Sequence, residues 1–206
     1  MSLSLPLNIN SVKGFLADDE GAALYDYALA AAGFGPCLEI GSYCGKSTVY
    51  LGSACQRSDN TLFALDHHRG SEEHQHGEEY HDPDTFDPAT GKVDTFPLFR
   101  ETVERAGLTD TVVALVAPSG VAARHWATPL GMLFIDGGHS LEAALADYHG
   151  WAPKLAIGGV LAIHDLFPDP EAGGQAPIHI WRLARDSGRY ECLPTVNTLG
   201  LLRRIA

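Results

Sequence analysis

Two apolar runs in this chain end in groups able to carry a proton or hold a cation. "LFIDGGHS" brings Asp136 and His139, and "GGVLAIHD" brings His164 and Asp165. If both runs are neighbouring strands of a parallel sheet, their carboxyl ends open on one crevice and the four side chains converge there. His139 follows Asp136 by three residues, at the entry to the next helical stretch. Its imidazole titrates near neutrality, which makes it a candidate general base for an acceptor hydroxyl. The structural alternatives are a helix cap or a carbonyl bond for His139, a buried hydrogen bond for His164, and loop positioning for the two aspartates.

A second constellation is "CLEIGSYCGKSTVYLG", residues 37–52. Its "GKST" ending is that of a triphosphate loop, but such a loop needs G-x-x-x-x-G-K-[ST], and Ile40 stands where the first glycine belongs. The dinucleotide pattern G-x-G-x-x-G fails as well, because Tyr43 replaces its second glycine. What remains is a strand, an acid at Glu39, a tight turn through Gly41 and Ser42, and a helix start at Ser47 and Thr48. An acid so near the turn repels phosphate and suits a cationic or hydroxyl-bearing ligand. The next strand ends in Asp66, whose carboxylate can accept both ribose hydroxyls of a nucleoside. Together these residues imply a pocket for a nucleoside that carries positive charge.

The elements that position these groups follow from the apolar pattern. Strands are expected at 37–41, 61–66, 111–117, 130–137 and 158–165, each nearly continuously apolar, as strands covered on both faces are. Helical stretches lie between them, at 19–32, 45–56, 95–107, 119–126 and 140–153. The alternation predicts an α/β fold with a doubly wound, mostly parallel sheet and helices on both faces. "RYECLPTV" and "TLGLLRRIA", separated by Asn197, predict an antiparallel C-terminal hairpin at the sheet edge.

"LEIGSYCGKST", "LFALD" and "LFIDGGHSLEAALADYHGWAPKLAIGGVLAIHD" together resemble class I S-adenosylmethionine-dependent methyltransferases. In particular they resemble a small bacterial branch related to macrolide-sugar O-methyltransferases and cephalosporin-hydroxylase-like proteins. The likeness runs over residues 12–165 apart from 67–94, and more weakly through the hairpin. It implies a Rossmann-like fold, S-adenosyl-L-methionine as cofactor and O-methylation of a small-molecule hydroxyl. Under it, Glu39, Gly41 and Ser42 contact the methionine moiety, Asp66 the ribose, Ser119 lies near the adenine, and Asp136 faces the transferring methyl. The metal-dependent members imply a divalent ion, magnesium or manganese, on Asp136, His164 and Asp165. His164 departs from the oxygen donor usual there; magnesium prefers hard oxygens, whereas imidazole favours manganese, iron, nickel or zinc.

Composition narrows the rest. The chain has 206 residues and a net charge of −12, which disfavours nucleic acid or an anionic membrane as partner. A small-molecule acceptor is the expected partner, and the C-terminal edge and helix 19–32 offer surfaces for a homodimer. The length fits one domain, 1–206. Its N-terminal stretch does not read as a signal peptide, and four cysteines without a CxxC pair point to the cytoplasm. Residues 67–94 break the rhythm with eight carboxylates, two basic residues and five of the ten histidines. This insertion reads as a lid shaping acceptor choice, since the spacing of His67, His68, His74, His76 and His81 matches no ligand motif. Loop 166–177 is expected to form the opposite wall, followed by a helix carrying His179 and Trp181. Rival functions on such a scaffold are a non-catalytic nucleoside- or metal-binding protein, a hydroxylase-like enzyme, and an NAD-dependent oxidoreductase that the glycine pattern disfavours.

Overall fold

The computed structural model describes residues 3–70, 82–138 and 140–206. Its strands are β1 (Cys37–Ile40), β2 (Leu62–Asp66), β3 (Phe86–Asp87), β4 (Lys92–Val93), β5 (Val112–Val116), β6 (Leu130–Ile135), β7 (Leu155–Ile163), β8 (Tyr190–Cys192) and β9 (Gly200–Arg204). The α-helices are α1 (Asp18–Ala31), α2 (Lys46–Arg57), α3 (Phe96–Arg105), α4 (Ser119–Ala123), α5 (Leu141–Trp151) and α6 (Ala176–Asp186). Among these, no helix is long and apolar enough to cross a membrane.

The main sheet has seven strands in the order β5-β2-β1-β6-β7-β9-β8. All pairings from β5 to β7 are parallel, and β9 runs antiparallel to both its neighbours. The mostly parallel sheet, the helices on both faces and the antiparallel C-terminal edge are those the sequence predicts. The strand order reverses beside β1, and in such sheets the crevice at the carboxyl ends next to the reversal is where ligands bind.

Strand periodicity divides the core into two layers. Cys37, Ala64, Met132, Phe134 and Ala162 pack with Leu24, Val49, Leu51 and Phe99 of α1, α2 and α3. Leu38, Ile40, Leu133, Ile135 and Ile163 face the other way, toward Ala144, Trp151 and Ile180 of α5 and α6. The same alternation puts Glu39, Asp136 and His164 on the α1–α2 side. There Glu20 of α1 is buried and within reach of His164.

Four details differ from the sequence expectation. β7 begins at Leu155, ahead of residue 158, because a register shift between Leu130 and Met132 lets the strand pair before its glycines. α4 stops at Ala123, where the Arg124 N–H closes a tight turn on Val121. The C-terminal hairpin turns at Asn197 and Thr198 inside a Val196–Leu199 bridge, so its paired strands are shorter than the apolar runs. The insertion contains the β3–β4 hairpin, and its neck is tied by a 2.8 Å bond between His68 Nδ1 and Thr95 Oγ1. Its residues 71–81, with Glu72, Glu73, Glu78, Glu79, His74, His76 and His81, lie outside the described residues.

Candidate functional site

The crevice contains two chambers with shared walls at Gly41, Tyr43, Asp136, Gly137 and Gly174. The larger, about 1000 Å³, reaches Asp66, Ser119 and Asp147. The smaller, about 300 Å³, reaches Ser42, Lys46, Ser47, His164 and Asp165. Chambers of this size and mixed lining hold small organic ligands.

The turn after β1 is built by backbone necessity. Gly41 has φ +88°, and a Cβ there would lie 2.0 Å from the Asp136 carbonyl oxygen, so only glycine lets the β1 and β6 ends approach. The Gly41 N–H donates to Leu65 O at 2.9 Å and the Gly45 N–H to Ser42 O at 2.8 Å. Asp66 fixes the turn from the side: its Oδ2 accepts the Tyr43 N–H at 2.9 Å and its Oδ1 the His68 N–H at 2.7 Å. Each oxygen keeps a second lone pair for a ligand in the larger chamber. Ser42, 1% exposed, has a buried hydroxyl with no partner among the described residues and lines the smaller chamber. α2 starts at an uncapped Gly45 with no acid in its first turn, so its first N–H groups suit an anion. Lys46 adds a cation whose Nζ makes, among the described residues, a long 3.4 Å contact to Gly14 O.

Glu39 takes a different position from the one implied by resemblance. It is wholly buried under α2, accepting hydrogen bonds from the hydroxyls of Ser47 and Thr48, the latter at 2.6 Å. It lines neither chamber; Ser47 stands between it and the smaller one. Burial pushes its carboxyl up to about 7, Asp136 and Asp66 add to the rise, and the two hydroxyls oppose it. The folded state thus holds this proton more tightly than the unfolded chain, where the ordinary value is 4.5. The stabilisation is complete below that value and is lost as pH rises through about 7. Glu39→Gln is expected to match wild type near pH 4 and to exceed it in stability by up to about 3 kcal/mol at pH 8. Thermal melts at the two pH values measure this; an unchanging gap would refute it.

A buried chain of charged groups backs the shared wall. Asp136 Oδ1 lies 3.1 Å from His164 Nδ1, and His164 Nε2 lies 2.9 Å from Glu20 Oε2. Glu20 also accepts from Ala17 N at 3.1 Å, Thr198 N at 2.9 Å and Thr198 Oγ1 at 2.8 Å. Asp165 Oδ1 is 3.4 Å from His164 Nδ1. Burial disfavours the imidazolium, but Asp136, Glu20 and Asp165 outweigh it and raise His164 to about 11. Burial likewise opposes the Glu20 carboxylate, and the bonds from His164 and Thr198 overcome it, lowering Glu20 to about 2.

Of the residues singled out in the sequence, Gly41, Ser42, Asp66, Ser119, Asp136, His164 and Asp165 line the two chambers. His139 lies outside the described residues. Ser119 does so with its oxygen accepting the Trp151 indole N–H at 2.9 Å, and its hydroxyl partly offsets the burial that raises the Asp147 carboxyl. Glu20, Lys46 and Asp147 were not anticipated. Glu20 has no local signal, since its partner is 144 residues away. Asp147 had one, because it shares the buried face of α5 with Ala144 and Trp151 at helical spacing.

Comparison with known proteins gives two kinds of likeness. A family profile described as "Methyltransferase domain" matches residues 38–166. The O-methyltransferase NovP superposes with a TM-score of 0.68 at 15% identity, over 90% of this chain and 79% of that one. TomG of Streptomyces achromogenes, an O-methyltransferase solved in complex with SAM, gives 0.61 at 17% identity, over 93% and 82%. The SAH-bound methyltransferase PaMTH1 of Podospora anserina gives 0.64 at 14%, over 93% and 80%. At these identities the structural likeness is one of fold.

Proposed function

Because this chain belongs to the methyltransferase-domain family, we propose that it transfers a methyl group from S-adenosyl-L-methionine to a hydroxyl of a small molecule. The observation that carries this reading is the meeting of the two chambers at Gly41, Asp136 and Gly137. A cofactor spanning the larger chamber and the Ser42 and Lys46 end of the smaller one puts its sulfonium at that common wall, where an acceptor beside His164 and Asp165 can meet it.

The residues present fit the cofactor. In this reading Asp66 accepts the ribose hydroxyls with its spare lone pairs. Ser42, whose buried hydroxyl lacks a partner among the described residues, bonds the methionine end, and Lys46 with the open first turn of α2 holds its carboxylate. When bound, the cofactor supplies a methyl on a sulfonium, whose positive charge makes the thioether a good leaving group. The carboxylate of Asp136 favours that positive charge at the shared wall. The chain's main task is in-line placement of the two partners and exclusion of water. The acceptor's proton leaves as the new C–O bond forms, and His139 is our candidate to take it.

A metal is a finer part of the proposal. Among the described residues, Asp136, His164 and Asp165 offer ligand atoms that all lie within 4.8 Å of one another. With the Nδ1 proton of its imidazolium displaced by an ion, His164 keeps its Nε2–H directed at Glu20 and puts the Nδ1 lone pair beside two carboxylate oxygens, an outer-carboxylate arrangement common at metal sites. That mixed donor set fits manganese, iron or zinc better than magnesium. Such an ion would lower the pKa of an acceptor hydroxyl and orient it. The four cysteines are free, three of them buried, which supports placement in the reducing cytoplasm.

The test is transfer of isotopically labelled methyl from S-adenosylmethionine to a panel of small hydroxyl compounds. We expect labelled ether, a fall in rate after chelation, and better recovery with manganese than with magnesium. Tight cofactor binding without transfer to any acceptor would favour a non-catalytic binder, and insensitivity to chelator would remove the ion.

A further inference from the structure

The two outer edges of the main sheet are guarded differently. At the C-terminal edge β8 is three residues long, and its exposed Glu191 pairs with Arg203 at 3.6 Å. Short and charged edge strands resist pairing with other chains. At the opposite edge stands β5, "VVALV", with neither a charge nor a proline. Its register with β2 runs unbroken through all five residues, so no bulge twists it away.

Among the described residues no strand pairs with the outer side of β5. Leu62 N donates to Thr111 O at 3.1 Å and Ala117 N to Asp66 O at 3.2 Å, so odd-numbered residues turn their peptide groups toward β2. Strand alternation then turns the N–H and C=O of Val112, Ala114 and Val116 outward. The flanking helices cover the strand incompletely. Val116 is 53% exposed on the α3 side, and Val113 is 41% exposed on the side of the five-residue α4, which itself leaves Val121 52% exposed.

The order of side chains indicates what pairs there. "VVALV" reads almost the same in both directions about Ala114, a symmetry that a two-fold axis requires and a foreign strand does not. With the axis at Ala114, its peptide groups meet those of the partner's Ala114, and Val112 stands opposite the partner's Val116. All three outward N–H groups then find carbonyls. On the other face Val113 stands opposite the partner's Leu115, so every cross-strand pair is apolar. Asp110, the nearest acid, meets the partner's Pro118, so a chain of net charge −12 opposes no like charges along the paired stretch.

We propose that two copies of this chain join their main sheets by antiparallel pairing of β5 about a two-fold axis at Ala114. This moves the homodimer surface from the C-terminal edge and helix 19–32, where the sequence places it, to the opposite edge. β5 runs directly into Ala117, Pro118 and Ser119 of the larger chamber, so the pairing also steadies that wall.

The test is sedimentation velocity over a concentration series reaching about 100 µM, far above a micromolar dissociation constant. Wild type is expected to form a dimer and nothing larger, because the pairing occupies the open edge of both copies. Val116→Lys, at an exposed position, is expected to weaken the dimer at least tenfold, whereas Cys192→Lys on the C-terminal edge leaves it intact. Ala114→Cys in a Cys192→Ser background is expected to yield a disulfide-linked dimer on mild oxidation. Directly opposed residues of such a pair lie about 5.5 Å apart between Cα atoms, within disulfide reach. A wild type that stays monomeric, or that associates without limit, overturns the proposal. So does a dimer that survives Val116→Lys or that fails to cross-link through position 114. Should Val116→Lys not fold, the cross-link decides alone.

Discussion

Glu20→Ala is expected to destabilise the protein by about 3–5 kcal/mol, a large share of the total stability of a typical domain. Glu20 is 3% exposed and receives donors from Ala17, Thr198 and His164. Removing its carboxylate strands a 5%-exposed imidazolium and unties α1 from the C-terminal hairpin. In a chain of this size the melting temperature should fall by about 10 °C or more. The effect depends on pH in a definite way. Glu20 is lowered to about 2 on folding, so its contribution is present above the ordinary 4.5 and lost as pH falls toward that lower value. His164 is raised to about 11, so its contribution is complete below the ordinary 6.5 and lost as pH rises through the higher value. The gap between wild type and Glu20→Ala should therefore shrink as pH falls from 4.5 toward 2, and on the basic side only where the variant's His164, still raised by Asp136 and Asp165, begins to lose its proton. Thermal melts of chelator-treated protein across that range measure it. A small, pH-independent gap would mean that the buried chain of charges contributes little.

Asp66→Ala is expected to weaken S-adenosylhomocysteine binding by about a hundredfold or more. Two hydrogen bonds from a ribose diol to a carboxylate contribute about 1.5–3 kcal/mol each, and both vanish together. The same substitution releases the Tyr43 and His68 N–H groups, so some loss of stability accompanies it. The two consequences separate experimentally: calorimetry reads the affinity, and a melt reads the fold. A variant that melts several degrees lower yet binds the ligand normally would leave Asp66 as a support for the glycine turn alone.

How far the sequence revealed these features depends on how local their causes are. Continuous apolar runs mark strands covered on both faces, so β1, β2, β5 and β6 were legible, as were Asp66 and Asp136 at strand ends. The missing glycines of the phosphate loops were legible too, since the Tyr43 and Ile40 positions are fixed by spacing alone. Glu39 shows the limit. Strand parity tells that it shares a face with Cys37, but not that this face lies under α2, so a core carboxyl looked like a pocket residue. Glu20 was beyond reach, because its bond to His164 is a product of tertiary packing between α1 and β7. Ser119 lines the larger chamber, but the carboxylate beside it comes from another helix, and residues near in space yet far in sequence carry no spacing signal. The β3–β4 hairpin hides in a polar insertion without alternation, where its four strand residues give periodicity nothing to act on.

On the function proposed above, the joined chambers hold a sulfonium-bearing or thioether adenosine and not a phosphorylated nucleotide. Calorimetric titration of the wild-type protein with S-adenosylhomocysteine, NAD and ATP tests it most directly. One saturable site for S-adenosylhomocysteine, displaceable by S-adenosylmethionine, is expected, with no heat of binding from the two phosphate-bearing ligands. Saturable binding of NAD or ATP with no response to S-adenosylhomocysteine would contradict it.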